Sequence, residues 1–172
     1  MAILYKNFRA SIVNSLPLLI LYYLSISEID THFSNMFEIL SFNLQIIIIY
    51  YWMLKNSSVL GNGHIFFAGI INDVVMGLPL GLSSISYLIV SLIATYVKNM
   101  TVNTTIATDW FTFLIAILVS NLLFVTLLSN FSSISIDLRT ISYNTFFTLL
   151  FFPFFWFFFS FYNSMLRAGK NV

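Results

Sequence analysis

An acid, Asp73, stands inside the apolar segment GIINDVVMGLPLG (Gly69 to Gly81), with Asn72 beside it and glycines four residues away on either side, at Gly69 and Gly77. On a helix that spacing stacks Gly69, Asp73 and Gly77 on one face, where small residues let another backbone approach an acid closely. A carboxylate so placed has several uses. It can cap the free amides of a following helix, or hydrogen-bond Asn72 and a neighbouring helix. It can also contact a partner, or relay a proton or ligand. A relay lacks an obvious chain here, because no Lys, Arg or His lies near Asp73 in the sequence. Gly77, Pro79 and Gly81 then end the helix and reverse the chain, since proline stops a helix and glycine accepts the angles of a tight turn.

Other polar residues point to packing. Asn43 and Gln45, set in an apolar run, are candidates for bonds across helices. His32 and His64 are far apart and have no matched acid, so the spacing implies no metal site. The serines stand in no nucleophile elbow and beside no recognisable base, which gives hydrolytic chemistry no support and implies neither catalytic residue nor cofactor. With no cysteine, there is no thiolate site and no disulfide framework.

The elements that must hold these residues follow from composition. The 172 residues are 59% hydrophobic and 19% aromatic, with 8% charged and a net charge of +1. The mean hydropathy is +0.94. A soluble domain carries roughly 25% charged residues, so an ordinary soluble enzyme is excluded, and the scattered cations form no surface for nucleic acid. Integral membrane protein is the remaining class. A helix needs about 20 apolar residues to cross a hydrocarbon core of about 30 Å. Cutting the chain where charges and turn residues interrupt such runs predicts a single all-α membrane domain over residues 1–172, with six spans near 10–27, 36–54, 59–77, 80–97, 110–128 and 143–164. Consecutive apolar positions such as Ile46 to Leu54 exclude the alternation of a β-barrel.

Cations near span ends are retained on the cytoplasmic side. An inside amino terminus puts Lys6, Arg9, Lys55, Lys98, Arg167 and Lys170 there and leaves Arg139 outside, so both termini are expected to be cytoplasmic. The first span, with Pro17 in its middle and Glu28 after it, reads as an uncleaved segment rather than a secretory signal. Counted from Val59, Asp73 lies about 21 Å along its helix, some two-thirds of the way outward. Tyr50, Tyr51 and Trp52 fit an interfacial aromatic belt at the inner end of the second span. The run FFPFFWFFFSF (Phe151 to Phe161) reads as a lipid-exposed helix or as an aromatic docking face, with a kink expected at Pro153.

The middle of the chain resembles the MreD family of small bacterial rod-shape-determining membrane proteins. Asn43 with the aliphatic run ending in YYWML (Tyr50 to Leu54), the link with Gly61 and Gly63, the segment from Gly69 to Gly81, and SYLIVSLIATYV (Ser86 to Val97) carry the resemblance. It covers about a third of the chain, and its most specific part is Gly69, Asp73 and Gly77 with Gly81 following. Phe42 departs from it, standing where the family often has proline. The resemblance implies a non-enzymatic member of the elongation machinery in the inner membrane. Its implied partners are MreC, MreB, RodA and a class B penicillin-binding protein, with lipid around it and no small-molecule substrate.

Under this reading Gly69, Asn72, Asp73, Gly77, Pro79 and Gly81 are assembly candidates, with Asn43 and Gln45 as secondary packing candidates. Leu at position 69 or 77 is then expected to leave the protein inserted while weakening co-purification with MreC. The family is also similar in fold to the substrate-binding subunits of energy-coupling-factor vitamin transporters, which supplies the alternative function. Against it, Ala10 is followed four residues later by Asn14 rather than by a second docking alanine, and Asn130, Asp137 and Arg139 are thin candidates for a ligand site.

Overall fold

The computed structural model describes residues 15–27, 43–101, 105–131 and 138–170. These residues are helical throughout their regular structure, with no strand among them. The helices are α1 (Ser15–Ile26), then α2 (Leu44–Asn56), α3 (Asn62–Val75), α4 (Leu82–Met100), α5 (Ile106–Phe131) and α6 (Leu138–Lys170). They overlap the six apolar segments of the sequence. Residues 10–14 and 36–42, counted into the first two segments, lie outside the described residues. Two of the described helices, α5 and α6, are long and apolar enough to cross a membrane. At 1.5 Å per residue, α2 and α3 are about 20 to 21 Å long, short of the roughly 30 Å of a hydrocarbon core, and the described part of α1 spans about 18 Å. The longer α4 carries four serines among its buried residues.

The core is built around α2. Ile46 through Leu54 are all buried, and a helix that is apolar and covered on every side belongs at the centre of a bundle. It packs on α4 and α6, while α3 lies on α4, and α5 on α4 and α6. Leu21 of α1 joins the same core. Tyr50, Tyr51 and Trp52 are therefore core residues and not the interfacial belt that their position beside Lys55 suggested. Tyr50 meets Phe113 of α5 and Phe152 of α6 edge-on, and those two rings stack at 4.2 Å. Tyr51 and Trp52 pack against Phe159.

The aromatic run in α6 is accordingly divided. Phe152 and Phe159 are buried, whereas Phe154, Phe157, Phe158 and Phe161 are exposed, and α6 continues as one helix through Pro153. On α5, Phe111, Ile115, Leu118 and Leu122 are exposed at helical spacing. Together these faces make a broad apolar surface of a kind that water-soluble monomers rarely present.

Asn43 starts α2, its Oδ1 accepting from the amide of Ile46 at 3.1 Å. Its own amide donates to Thr148 Oγ1 at 2.9 Å, which ties the head of α2 to α6.

Candidate functional site

The segment from Gly69 to Gly81 forms the end of α3, a tight turn and the start of α4. Gly77 does not continue the α3 face, because the helix stops at Val75 with Met76 as its cap. Gly77 instead takes φ +63° just past the end, the left-handed position that terminates many helices. The Leu78 amide donates to the Asp73 carbonyl at 2.9 Å and the Gly77 amide to the Val74 carbonyl at 3.4 Å, the paired bonds of a Schellman motif. A Cβ at Gly77 would meet nothing within 4 Å, so this glycine is required by its backbone angle and not by a close neighbour.

Gly69 has the opposite reason. A Cβ there would fall 2.4 Å from Cα and 2.6 Å from N of Ser84, so the close approach it permits is with this chain's own α4. The expectation that Gly69 and Gly77 share a face offered to a partner is thus corrected at both positions. One glycine is spent on internal packing and the other on a turn.

Asp73 is fully buried, and its carboxylate caps α4. Oδ2 accepts from the Gly81 amide and Oδ1 from the Ser83 amide, each at 2.8 Å. Gly81, with φ +96°, is the residue at the cap position and has no side chain to serve it. The preceding helix supplies the missing acceptor at the positive end of the α4 dipole. Of the uses open to Asp73, the capping one matches this geometry. A side-chain cap of this kind contributes about 0.5–2 kcal/mol. Pro79 is half-buried within the turn, its carbonyl accepting from the Leu82 amide at 3.3 Å.

Asn72 continues the network away from the cap. Its Nδ2 donates to Ser83 Oγ at 3.1 Å, and its Oδ1 accepts from Gln45 Nε2 at 3.3 Å. Gln45 Oε1 in turn accepts from the hydroxyl of Tyr87. A chain of side-chain bonds therefore joins α2, α3 and α4. Gln45, expected to bond across helices, does so to α3 and α4, whereas the Asn43 side chain caps its own helix and only its backbone amide reaches α6.

This network forms one wall of a partly open cavity of about 420 Å3. Residues of α2 through α6 line it, among them Gln45, Asn72, Tyr87, Asn121 and Asn144, with Phe124 and Ile141 as apolar members. Among the described residues, no acidic or basic side chain lines it. Of the outer-loop candidates, Asn130 is exposed and donates to the Thr126 carbonyl and Arg139 sits over the Tyr143 ring at 5.9 Å, neither of them lining the cavity; Asp137 lies outside the described residues.

A second polar centre escaped the sequence reading. Asp109, in the first turn of α5, is fully buried and pairs with Lys55 at the end of α2, Nζ to Oδ2 at 2.7 Å. Trp156 of α6 donates its indole N–H to the same oxygen at 2.9 Å, and Lys55 Nζ lies 5.7 Å from the centre of that indole. The other oxygen, Oδ1, has no hydrogen-bond partner. The available signal was an acid next to a tryptophan at the start of an apolar run, but its cation lies in a different helix.

His64 Nδ1 lies 3.1 Å from the hydroxyl of Tyr22. Among the described residues no cluster of His, Cys, Asp and Glu could hold a metal ion. No protein-family model matches the chain, and neither a curated protein nor a solved structure matches it.

Proposed function

We propose that this chain is a multi-pass protein of the bacterial inner membrane, a single six-helix domain with both termini cytoplasmic. In this reading it acts as a non-enzymatic scaffold of side-wall peptidoglycan synthesis by holding a bitopic partner of the MreC type. The observation that carries the membrane reading is the exposed apolar side chains of α5 and α6, with Phe111, Ile115, Leu118 and Leu122 on one helix and Phe154, Phe157 and Phe161 on the other. In lipid that surface needs no cover, while in water it would need a partner. Two cations also support the orientation. Lys98 Nζ donates to Ser57 Oγ at 2.8 Å, two residues from Lys55, so Lys55 and Lys98 gather at one end of the bundle.

The scaffold role itself rests on the resemblance of residues 43–97 to the MreD family. With Asp73 and Gly69 engaged inside the chain, the partner surface proposed here is the tip of the turn, where Met76 and Leu80 are exposed. MreB, RodA and a class B penicillin-binding protein would join through the assembly rather than through this turn.

Leu80→Glu tests the reading, because it places a charge on an exposed tip without touching the cap or the Schellman bonds. The expected result is normal insertion, with recovery of co-expressed MreC reduced about tenfold or more. Unchanged recovery would remove the turn as the docking surface. Cells that keep their rod shape when the protein is depleted would remove the role.

A further inference from the structure

We propose that the bilayer is thinned beside the amino end of α3, so that phospholipid headgroups and water rise there from the side of Lys55 and Lys98. The inference rests on the membrane reading above and adds a surface to it: one flank of the bundle fits headgroups at a height where the others fit acyl chains.

Heights along the bundle follow from the contacts between antiparallel neighbours. Gly69 packs against Ser84, and Asn62 Oδ1 accepts from Ser91 Oγ at 2.8 Å, so α3 begins level with Ser91 of α4. From there α4 continues to Met100, about 13 Å further. The link from α2 covers most of that distance without a helix, from Ser57, which accepts from Lys98 Nζ at 2.8 Å, up to Asn62 beside Ser91.

The strip that α3 leaves uncovered is polar. Ser84 and Ser91 face α3, and helical spacing continues that face past the end of α3 as Thr95 and Lys98. Above it Ser58, Asn62, Gly63 and His64 are exposed, and no side chain caps the first amides of α3. Irregular backbone and free amides are not tolerated against acyl chains and need water or polar groups. Lys98 adds a cation for the phosphates that thinning brings in.

On α5 and α6 the same height is apolar. Ser120 Oγ donates to the Ser86 carbonyl at 3.2 Å, which sets Ile115 level with Ser91, and the stack of Phe113 on Phe152 sets Leu150 near that level. Ile115 and Leu150 are 43% and 52% exposed, and Phe111, Phe154 and Phe157 are exposed further towards the Lys55 end. One flat bilayer cannot suit both flanks. Local thinning does, at a modest cost per Å of mismatch.

The test compares positions of equal height. Gly63→Cys, Ile115→Cys and Leu150→Cys each receive a nitroxide, in full-length protein reconstituted into vesicles of phosphatidylethanolamine and phosphatidylglycerol. A side chain at Gly63 meets nothing within 4 Å, and the other two positions are exposed, so the fold is kept. Power-saturation EPR compares collisions with a water-soluble nickel chelate and with oxygen, which concentrates in hydrocarbon. The nickel-to-oxygen ratio at position 63 is expected to exceed those at 115 and 150 by about tenfold or more. A lipid with a gadolinium chelate on its headgroup should also relax the label at 63 more than the other two.

A ratio at 63 as low as at 115 would overturn the thinning and leave the membrane reading standing. High ratios at all three positions would remove the membrane reading as well. A high ratio at 63 without extra headgroup relaxation would mean a water-filled hollow in an undeformed bilayer, which also overturns the proposal.

Discussion

Gly69→Ala is expected to destabilise the protein by about 2–3 kcal/mol, near the upper end for an overpacked site. The added methyl would stand 2.4 Å from Ser84 Cα, and that obstacle is backbone, which cannot turn aside as a flexible side chain can. Relief requires α3 to move away from α4. Such movement stretches the reach of Asp73 to the Gly81 and Ser83 amides and the bond from Asn72 to Ser83. Reversible unfolding of purified protein in mixed micelles with increasing dodecyl sulfate measures the loss. Gly63→Ala is the matched control: it lies in the first turn of the same helix with nothing within 4 Å of the new methyl, and removing glycine's freedom there should stabilise by roughly 0.4–1 kcal/mol. Equal stability of the two variants would contradict the close contact of α3 with α4. The loss should appear without any partner present, which separates internal packing from docking.

Lys55→Met is expected to cost more, about 3–5 kcal/mol, because removing one member of a buried ion pair leaves the other charge without compensation. Asp109 is fully buried and the side chain of Lys55 is 20% exposed. Without the ammonium group, the carboxylate keeps the Trp156 indole on Oδ2, while Oδ1 already lacks a hydrogen-bond partner. Asp109→Leu added to Lys55→Met should recover most of the loss, since an apolar pair of similar volume removes both desolvation costs. The same unfolding assay read as a double-mutant cycle gives the coupling. Additive losses would mean that the two residues do not act as a pair.

The reversal between α3 and α4 was legible because its determinants are local. Gly77, Pro79 and Gly81 mark the turn by residue type, and an acid a few residues earlier is within reach of the next helix start. Even there, the spacing of four suggested a shared helix face for Gly77, although a glycine at that position serves equally well as a terminator. Nothing in the sequence indicates on which side of the helix end it falls.

Contacts between distant residues were less legible. Lys55 and Asp109, Gln45 and Tyr87, and Asn43 and Thr148 each join different helices, and no periodicity within one helix announces such a pair. Tyr50, Tyr51 and Trp52 were misread for a related reason. Aromatic residues beside a lysine fit the edge of a membrane, yet the unbroken apolar run from Ile46 to Leu54 leaves no polar face and marks a helix enclosed by others. The cavity depends on how five helices meet, and the individual Asn, Gln and Ser residues of its wall are ordinary packing residues when read one at a time.

The central proposal is that lipid surrounds this bundle and that its helices cross it, and the absence of native cysteine makes that directly measurable. Phe131 and Thr105 flank α5 at opposite ends, and both are exposed. With a single cysteine at either position, intact cells are treated with a membrane-impermeant maleimide before and after permeabilisation of the inner membrane. Phe131→Cys is expected to react from outside at once, and Thr105→Cys only after permeabilisation. Equal reactivity of the two sites in intact cells, or protection of both until permeabilisation, would show that α5 does not cross and would contradict the proposed membrane scaffold.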